Sequence, residues 1–172
     1  MITKKMADSL NEQINKEIYS AYLYLSMSAY TDHKGLKGFA NWYFVQFQEE
    51  MDHAMKIYRY LQDQGAVIKL KAIDQPPTEF GDVLEIVEKT LSHEKMVTGL
   101  INKLIETAVE EKDYATQAFL QWFVTEQVEE ESNVSEILDK LKLAGNQGNG
   151  LFMIDKELAS RVYTPPAQSE EQ

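Results

Sequence analysis

No cysteine occurs among the 172 residues. That excludes a disulfide scaffold, a thiolate zinc site and a cysteine-held iron–sulfur cluster, and it is compatible with a reducing compartment. Positive charge is scarce: 17 Lys and Arg face 28 Asp and Glu, for a net charge of −11. Free nucleic acid and anionic membrane are therefore poor partners, and cations are favoured ones. No apolar run approaches the roughly 18 residues that a membrane span needs. The opening MITKKMADSLNEQ has two lysines but no apolar stretch behind them, so it does not read as a signal peptide and the expected location is cytoplasmic. Proline is confined to two pairs, Pro76-Pro77 and Pro165-Pro166, and the 8 glycines fall mainly in clusters that divide the chain.

What is present is ordinary for a globular protein, with 44% apolar and 26% charged residues. The length fits a single domain over 1–172. Between the glycine and proline breaks lie four long stretches rich in Glu, Lys, Leu, Ala and Gln, with apolar residues at helical spacing. The pattern predicts helices over 6–34, 36–64, 82–112 and 114–144. A short fifth helix is predicted over 151–161, followed by a tail over 162–172 in which the stretch TPPAQSEEQ is polar and mobile. Each long helix would span roughly 45 Å. Matched lengths and two short connections predict an all-α four-helix bundle with antiparallel neighbours. The second connection, Gly65 to Gly81, is long enough to cross the whole bundle, and its Val67, Ile68, Leu70 and Ile73 suggest that it is packed down.

Tracing the core face of each helix in steps of three and four gives four largely apolar stripes. Each is interrupted near its middle by a carboxylate: Glu17, Glu50, Glu94 and Glu130. All four lie within about one turn of their helix midpoints, so they should meet at one height, with His53 one turn from Glu50. Four ionised carboxylates in an apolar core need compensation. Lysine and arginine are missing from the stripes at that level, so either the carboxylates are protonated or metal cations sit between them. Two divalent ions would balance four glutamates, and oxygen-rich ligation with one imidazole suits iron(II) or manganese and admits zinc. Singly, each residue has an ordinary reading. A Glu-x-x-His pair is common on exposed helix faces, Tyr24 fits a core, and the run from Glu126 to Glu131 fits a charged surface. The coincidence of four helices, four carboxylates and one height is what favours a metal site.

The stretches NKEIYSAYLYL, FQEEMDHAMKIYRYL, LSHEKMV and TEQVEEE resemble the bacterial non-haem ferritins, and the similarity covers nearly the whole chain. The resemblance implies a ferritin-like bundle with one long crossover and a short C-terminal helix. It implies that Glu17, Glu50 and His53 bind a first iron. Glu50 bridges to a second, which Glu94 and Glu130 complete, with Gln127 as a weak ligand or hydrogen-bonding neighbour. Glu49, Glu126 and Glu129 match a cluster that holds a third iron and shares Glu130. Tyr24 matches the tyrosine beside the dinuclear centre, and Trp122 an electron donor nearby. Only the second helix carries Glu-x-x-His, whereas bacterioferritins and rubrerythrins resemble a two-histidine pattern. Met51 stands where bacterioferritins place a haem-ligating methionine, but the missing second histidine argues against haem, and none is expected.

The implied function is iron storage with ferroxidase activity. Iron(II) would be oxidised by dioxygen or peroxide and stored as a ferric oxide mineral inside a cage of 24 identical subunits, with no nucleic-acid or membrane partner. The fifth helix would lie at a symmetry axis. Its own residues show only a modest apolar set, Leu151, Phe152, Ile154 and Leu158, which equally fits a cap on its own bundle. An alternative is a bacterioferritin-like or di-iron oxidase or peroxidase with a fixed metal cofactor. A non-enzymatic alternative is a helical assembly protein with structural glutamates.

Overall fold

The computed structural model describes residues 2–145 and 148–166. Five helices follow in order: α1 Lys4–His33, α2 Lys37–Asp63, α3 Val83–Glu110, α4 Tyr114–Ala144 and α5 Gly148–Leu158. The four long helices agree with the predicted ones to within two residues at every end. The fifth starts three residues early and stops at Leu158, because the glycines taken as a break are accommodated in its first turn.

Local chemistry sets most of the helix starts. Thr3 accepts from the Met6 amide at the start of α1, and Asp113 accepts from the Thr116 amide at the start of α4. Asp82 and Glu85 form a reciprocal capping box at α3. Helix α2 has no side-chain cap of its own. Its exposed amides are met instead by Asp155 of α5, whose Oδ1 accepts from Gly38 N at 2.9 Å and Phe39 N at 3.0 Å. The approach is so close that a Cβ on Gly38 would lie 1.6 Å from the Asp155 carbonyl oxygen. Glycine at this position is thus a requirement of α5 docking.

Two apolar cores stack along the bundle. One joins Tyr24, Met27, Phe39, Tyr43, Ile86, Val134 and Ile137, and α5 adds Ile154 and Leu158. The other joins Met6, Leu10, Ile57, Leu61, Ile101, Leu104, Leu120 and Phe123. The late part of α1 thus meets the early parts of α2 and α3 and the late part of α4. Helices α1 and α4 run one way and α2 and α3 the other. The α2–α3 connection must therefore run the length of the bundle.

That crossover lies along α1, but apolar packing is not its main attachment. Val67 and Leu70 are exposed, and only Ile68 and Ile73 of the four predicted contacts are half-buried. An extended chain turns alternate side chains away from its support, so one face alone can be covered. Hydrogen bonds do the fastening. Asn11 donates to Val67 O and accepts from Lys69 N, Asn15 donates to Ala72 O, Ser26 to Pro77 O, and Tyr30 to Gly81 O. Phe80, which is buried, anchors the far end.

The chain beyond α5 is fastened as well. Residues 162–166 carry no helix, yet Tyr163 donates its hydroxyl to Asp52 Oδ2 at 2.5 Å. That bond ties the chain to α2 immediately ahead of the stretch expected to be mobile. Residues 167–172 of that stretch lie outside the described residues. Among the described residues, no helix is long and apolar enough to cross a membrane.

Candidate metal centre

Between the two apolar cores lies a polar layer supplied by all four long helices. Glu17, Glu50, Glu94 and Glu130 are each at most 3% exposed, and His53 is buried beside them. Helical phase puts them there, since each sits mid-helix on the face that is apolar above and below. Among the described residues, no lysine or arginine forms an ion pair with these four carboxylates.

Two groups of side chains approach closely enough to share an ion. Glu17, Glu50 and His53 bring ligand atoms within 4.8 Å of one another, and so do His53, Glu126 and Glu130. His53 stands between them, with Nδ1 3.4 Å from Glu50 Oε2 and Nε2 3.9 Å from Glu126 Oε1. Glu50 Oε2 is buried without a hydrogen-bond partner. An orphaned, buried carboxylate oxygen is costly unless a proton or a cation satisfies it.

The remaining carboxylates are held by neutral donors. Gln13 donates to Glu17 at 2.8 Å and Gln46 to Glu130 at 2.9 Å. Tyr24 donates its hydroxyl to Glu94 Oε1, and Gln127 reaches Glu94 Oε2 at 3.2 Å. Glu94 consequently joins neither three-residue group; its carboxylate is turned toward Tyr24 and Gln127. Gln127 also contacts the Glu94 carbonyl and Thr98, as a hydrogen-bonding neighbour would.

Burial raises the proton affinity of the layer. Glu50 is held well above the ordinary carboxylate range by desolvation, then by the charges of Glu94, Glu17 and Glu130. Glu94 is raised by burial against the opposing pull of Tyr24 and Gln127. Glu130 is pushed up to about 7, again mainly by burial and then by Glu94. Of the two options left open by the sequence, protonation is therefore favoured at Glu50, Glu94 and Glu130 in the metal-free layer, and a cation would replace those protons.

A second tier lies outside this layer. Glu126 and Glu49 are part-buried and Glu129 is exposed; of the three only Glu126 joins a three-residue group, and Glu49 and Glu129 belong to neither. Burial raises Glu49, and the Arg161 guanidinium, with Nη2 2.6 Å from Glu49 Oε2, opposes the rise. The Trp122 ring packs edge-on to His53 with centroids 5.3 Å apart. Met51 is half-buried.

His33 and His93 are also helical, and His93 immediately precedes Glu94. Its Nε2 lies 2.8 Å from the buried Ser20 Oγ, and its ring packs edge-on to Tyr24 at 5.8 Å. Burial pushes the His93 imidazole down to about 4. Gln46 lies one turn before Glu50 on α2, and nothing in that spacing announces its bond to Glu130 on α4. Arg161 was missed entirely, because no local pattern links residue 161 to residue 49.

The ferritin-like domain model matches residues 7–144. A bacterial non-heme ferritin of Bacteroides fragilis is 45% identical over 94% of this chain and 100% of its own. One of Campylobacter jejuni is 44% identical over 91% of this chain and 93% of its own. Among solved structures, an open-pore ferritin of the archaeon Archaeoglobus fulgidus superposes with a TM-score of 0.93. It is 50% identical and covers 94% of this chain and 100% of its own. With a bundle that superposes on a ferritin and relatives matched from end to end, the chain belongs to the family of the bacterial non-haem ferritins.

Proposed function

We propose that this protein oxidises iron(II) to iron(III) and stores the product. The observation that carries the reading is the layer itself: four buried carboxylates on four helices, paired with no lysine or arginine among the described residues, and an orphaned oxygen on Glu50. Such a layer fits a substrate that arrives with positive charge. Glu17, Glu50 and His53 take the first iron(II), Glu50 is shared with a second, and Glu94 and Glu130 complete it with Gln127 alongside. Tyr24 and Gln46 hold Glu94 and Glu130 before iron arrives, so loading exchanges neutral donors and protons for metal. Glu49, Glu126 and Glu129, with Glu130, take a third iron. Trp122 stands near His53 as an electron donor.

Anionic oxygen ligands favour the higher charge of iron(III) once electrons pass to dioxygen or peroxide. A shell with one imidazole holds oxidised iron less firmly than a permanent cofactor site, which lets it move on to a ferric oxide mineral. The storage cage is a homo-oligomer of 24 subunits in the cytoplasm. Exposed apolar residues on the crossover side, Tyr22, Val67 and Leu70, and on α5, Phe152 and Met153, support burial against further copies. Helix α5 caps its own bundle through Ile154 and Leu158 and leaves Phe152 and Met153 exposed, which supports packing of that face on neighbours at a symmetry axis.

The test is anaerobic iron(II) titration followed by oxygen, on wild type and His53→Ala, with particle size followed throughout. Binding of at least two iron per subunit, fast oxidation and retained iron are expected for wild type, with a slow His53→Ala. A monomeric particle that takes up no iron removes the storage reading. Wild-type initial rates in His53→Ala remove the placement of the centre.

A further inference from the structure

The second half of α5 and the segment after it run beside α2 and are fastened to it at four levels. Asp155 caps Gly38 and Phe39. Asn41 donates to the carbonyls of Leu158 and Arg161 at 3.2 and 2.9 Å. Arg161 reaches Glu49, and Tyr163 reaches Asp52. From Gly38 to Asp52 this covers roughly 20 Å of helix. The strap delivers one guanidinium to the edge of the acidic layer. Its carbon lies 4.9 Å from the Trp42 ring centre, Nη1 donates to Trp42 O at 3.4 Å, and Nη2 meets Glu49 Oε2 at 2.6 Å.

Glu49 is not an isolated surface carboxylate. It stands four residues before His53 on α2, one turn away on the same side of the helix, and His53 forms the outer three-ligand group with Glu126 and Glu130. We propose that Arg161 is the resident cation of this outer cluster, occupying Glu49 until an incoming metal ion displaces it. The proposal rests on the reading of the outer cluster as a metal-holding site. A guanidinium and a divalent ion compete for the same carboxylate, and they repel one another at this range. Arg161 therefore weakens the outer cluster for metal and leaves the inner layer, which it does not touch, to fill first. Stacked on Trp42 and only partly exposed, the side chain loses little freedom in this pairing. The order of filling is thereby built into the chain, with the C-terminal strap as its agent.

The test uses the assembled, metal-free protein and zinc(II) as a redox-inert probe, titrated by calorimetry at fixed pH. Arg161→Gln is expected to tighten the outermost binding event about tenfold, the scale of a lost part-buried charged hydrogen bond. The inner events should change by less than about twofold, since Arg161 contacts no inner carboxylate. In a Glu49→Gln background, the same substitution should have almost no effect. An outer event that is unchanged or weaker in Arg161→Gln, but weaker in Glu49→Gln, makes Arg161 a mere fastening and overturns the proposal. No effect of Glu49→Gln on any event removes the outer site itself, and the proposal falls with it. Should Arg161→Gln fail to assemble, Arg161→Met reads the same competition, because it removes the charge while keeping an apolar stem against Trp42. A tightened outer event there supports the proposal, and an unchanged or weaker one overturns it.

Discussion

Glu49 and Glu50 are neighbours in the chain, as are Glu129 and Glu130, yet within each pair the two residues live in different solvents. Glu50 and Glu130 are buried among carboxylates with no cationic side chain. Glu49 is part-exposed and paired with Arg161, and Glu129 is exposed. A step of one residue rotates a helical side chain by about 100°. That rotation separates a group whose charge nothing in the chain neutralises from one that a side chain or water neutralises. The inner tier is built to want metal, and the outer tier is built to manage without it.

The sharpest way to break this contrast is to remove one member of an adjacent pair at a time. Glu50→Ala deletes the orphaned oxygen and the shared ligand. The initial rate of iron(II) oxidation at two iron per subunit should fall at least about 100-fold, the upper range for disturbing a metal shell. Glu49→Gln, one residue away, should stay within about threefold of wild type. Stopped-flow rates that fall equally in both variants would mean that the tiers are not distinct.

Stability against pH is the next largest effect. Glu130 is raised to about 7 in the folded protein, against 4.5 for an unperturbed glutamate. The folded chain therefore binds this proton more tightly than the unfolded chain. The resulting stabilisation is complete below the unfolded value and is lost as pH rises through about 7. Glu130 alone contributes on the order of 3 kcal/mol to that loss. Glu50 and Glu94 shift in the same direction. Metal-free protein should thus be less stable at pH 8 than at pH 5.5 by denaturant unfolding. Glu130→Gln should flatten the slope, and saturating zinc should abolish it. A flat profile for metal-free wild type would show that the inner carboxylates are not desolvated.

The inner tier was legible in the sequence because helical period is a local property. Steps of three and four fix the phase of Glu17, Glu50, Glu94 and Glu130, and equal helix lengths fix their height. The donors that hold them are less legible. Nothing local ties Gln46 to Glu130 or Ser20 to His93, since each pair joins different helices. The outer carboxylates were named through the family resemblance alone, and the cation that pairs with Glu49 was hidden for the same reason in stronger form. Arg161 meets Glu49, and Asp155 caps α2, across separations of more than 100 residues. An amphipathic pattern reports which face is covered, but not which side chain of a distant segment covers it. The crossover shows the converse error: apolar residues were read as buried, while backbone hydrogen bonds to α1 do the docking.

His93 sharpens the comparison from the inner side. It adjoins the layer but is bonded to Ser20, in neither group of candidate ligands. His93→Leu should cost about 1 kcal/mol of stability, the ordinary worth of a lost hydrogen bond. Oxidation should slow by less than about threefold, because Tyr24 keeps its bond to Glu94. A loss as deep as that of Glu50→Ala would make His93 a ligand and move the boundary of the inner tier.

The smallest effect is expected at Glu129, and it is informative because Glu130 lies beside it. The exposed carboxylate of Glu129 is hydrated and pairs with no fixed partner among the described residues. Replacing it by glutamine removes a charge that water already screens, so stability should move by less than about 0.5 kcal/mol. The first two iron ions per subunit should be oxidised at the wild-type rate. A difference should emerge only at higher loading, when a third ion draws on the outer carboxylates. Stopped-flow traces at two and at three iron per subunit separate these regimes. If Glu129→Gln slows the first two ions, its side chain must turn inward on loading, and the division by helical phase would hold only for the metal-free state.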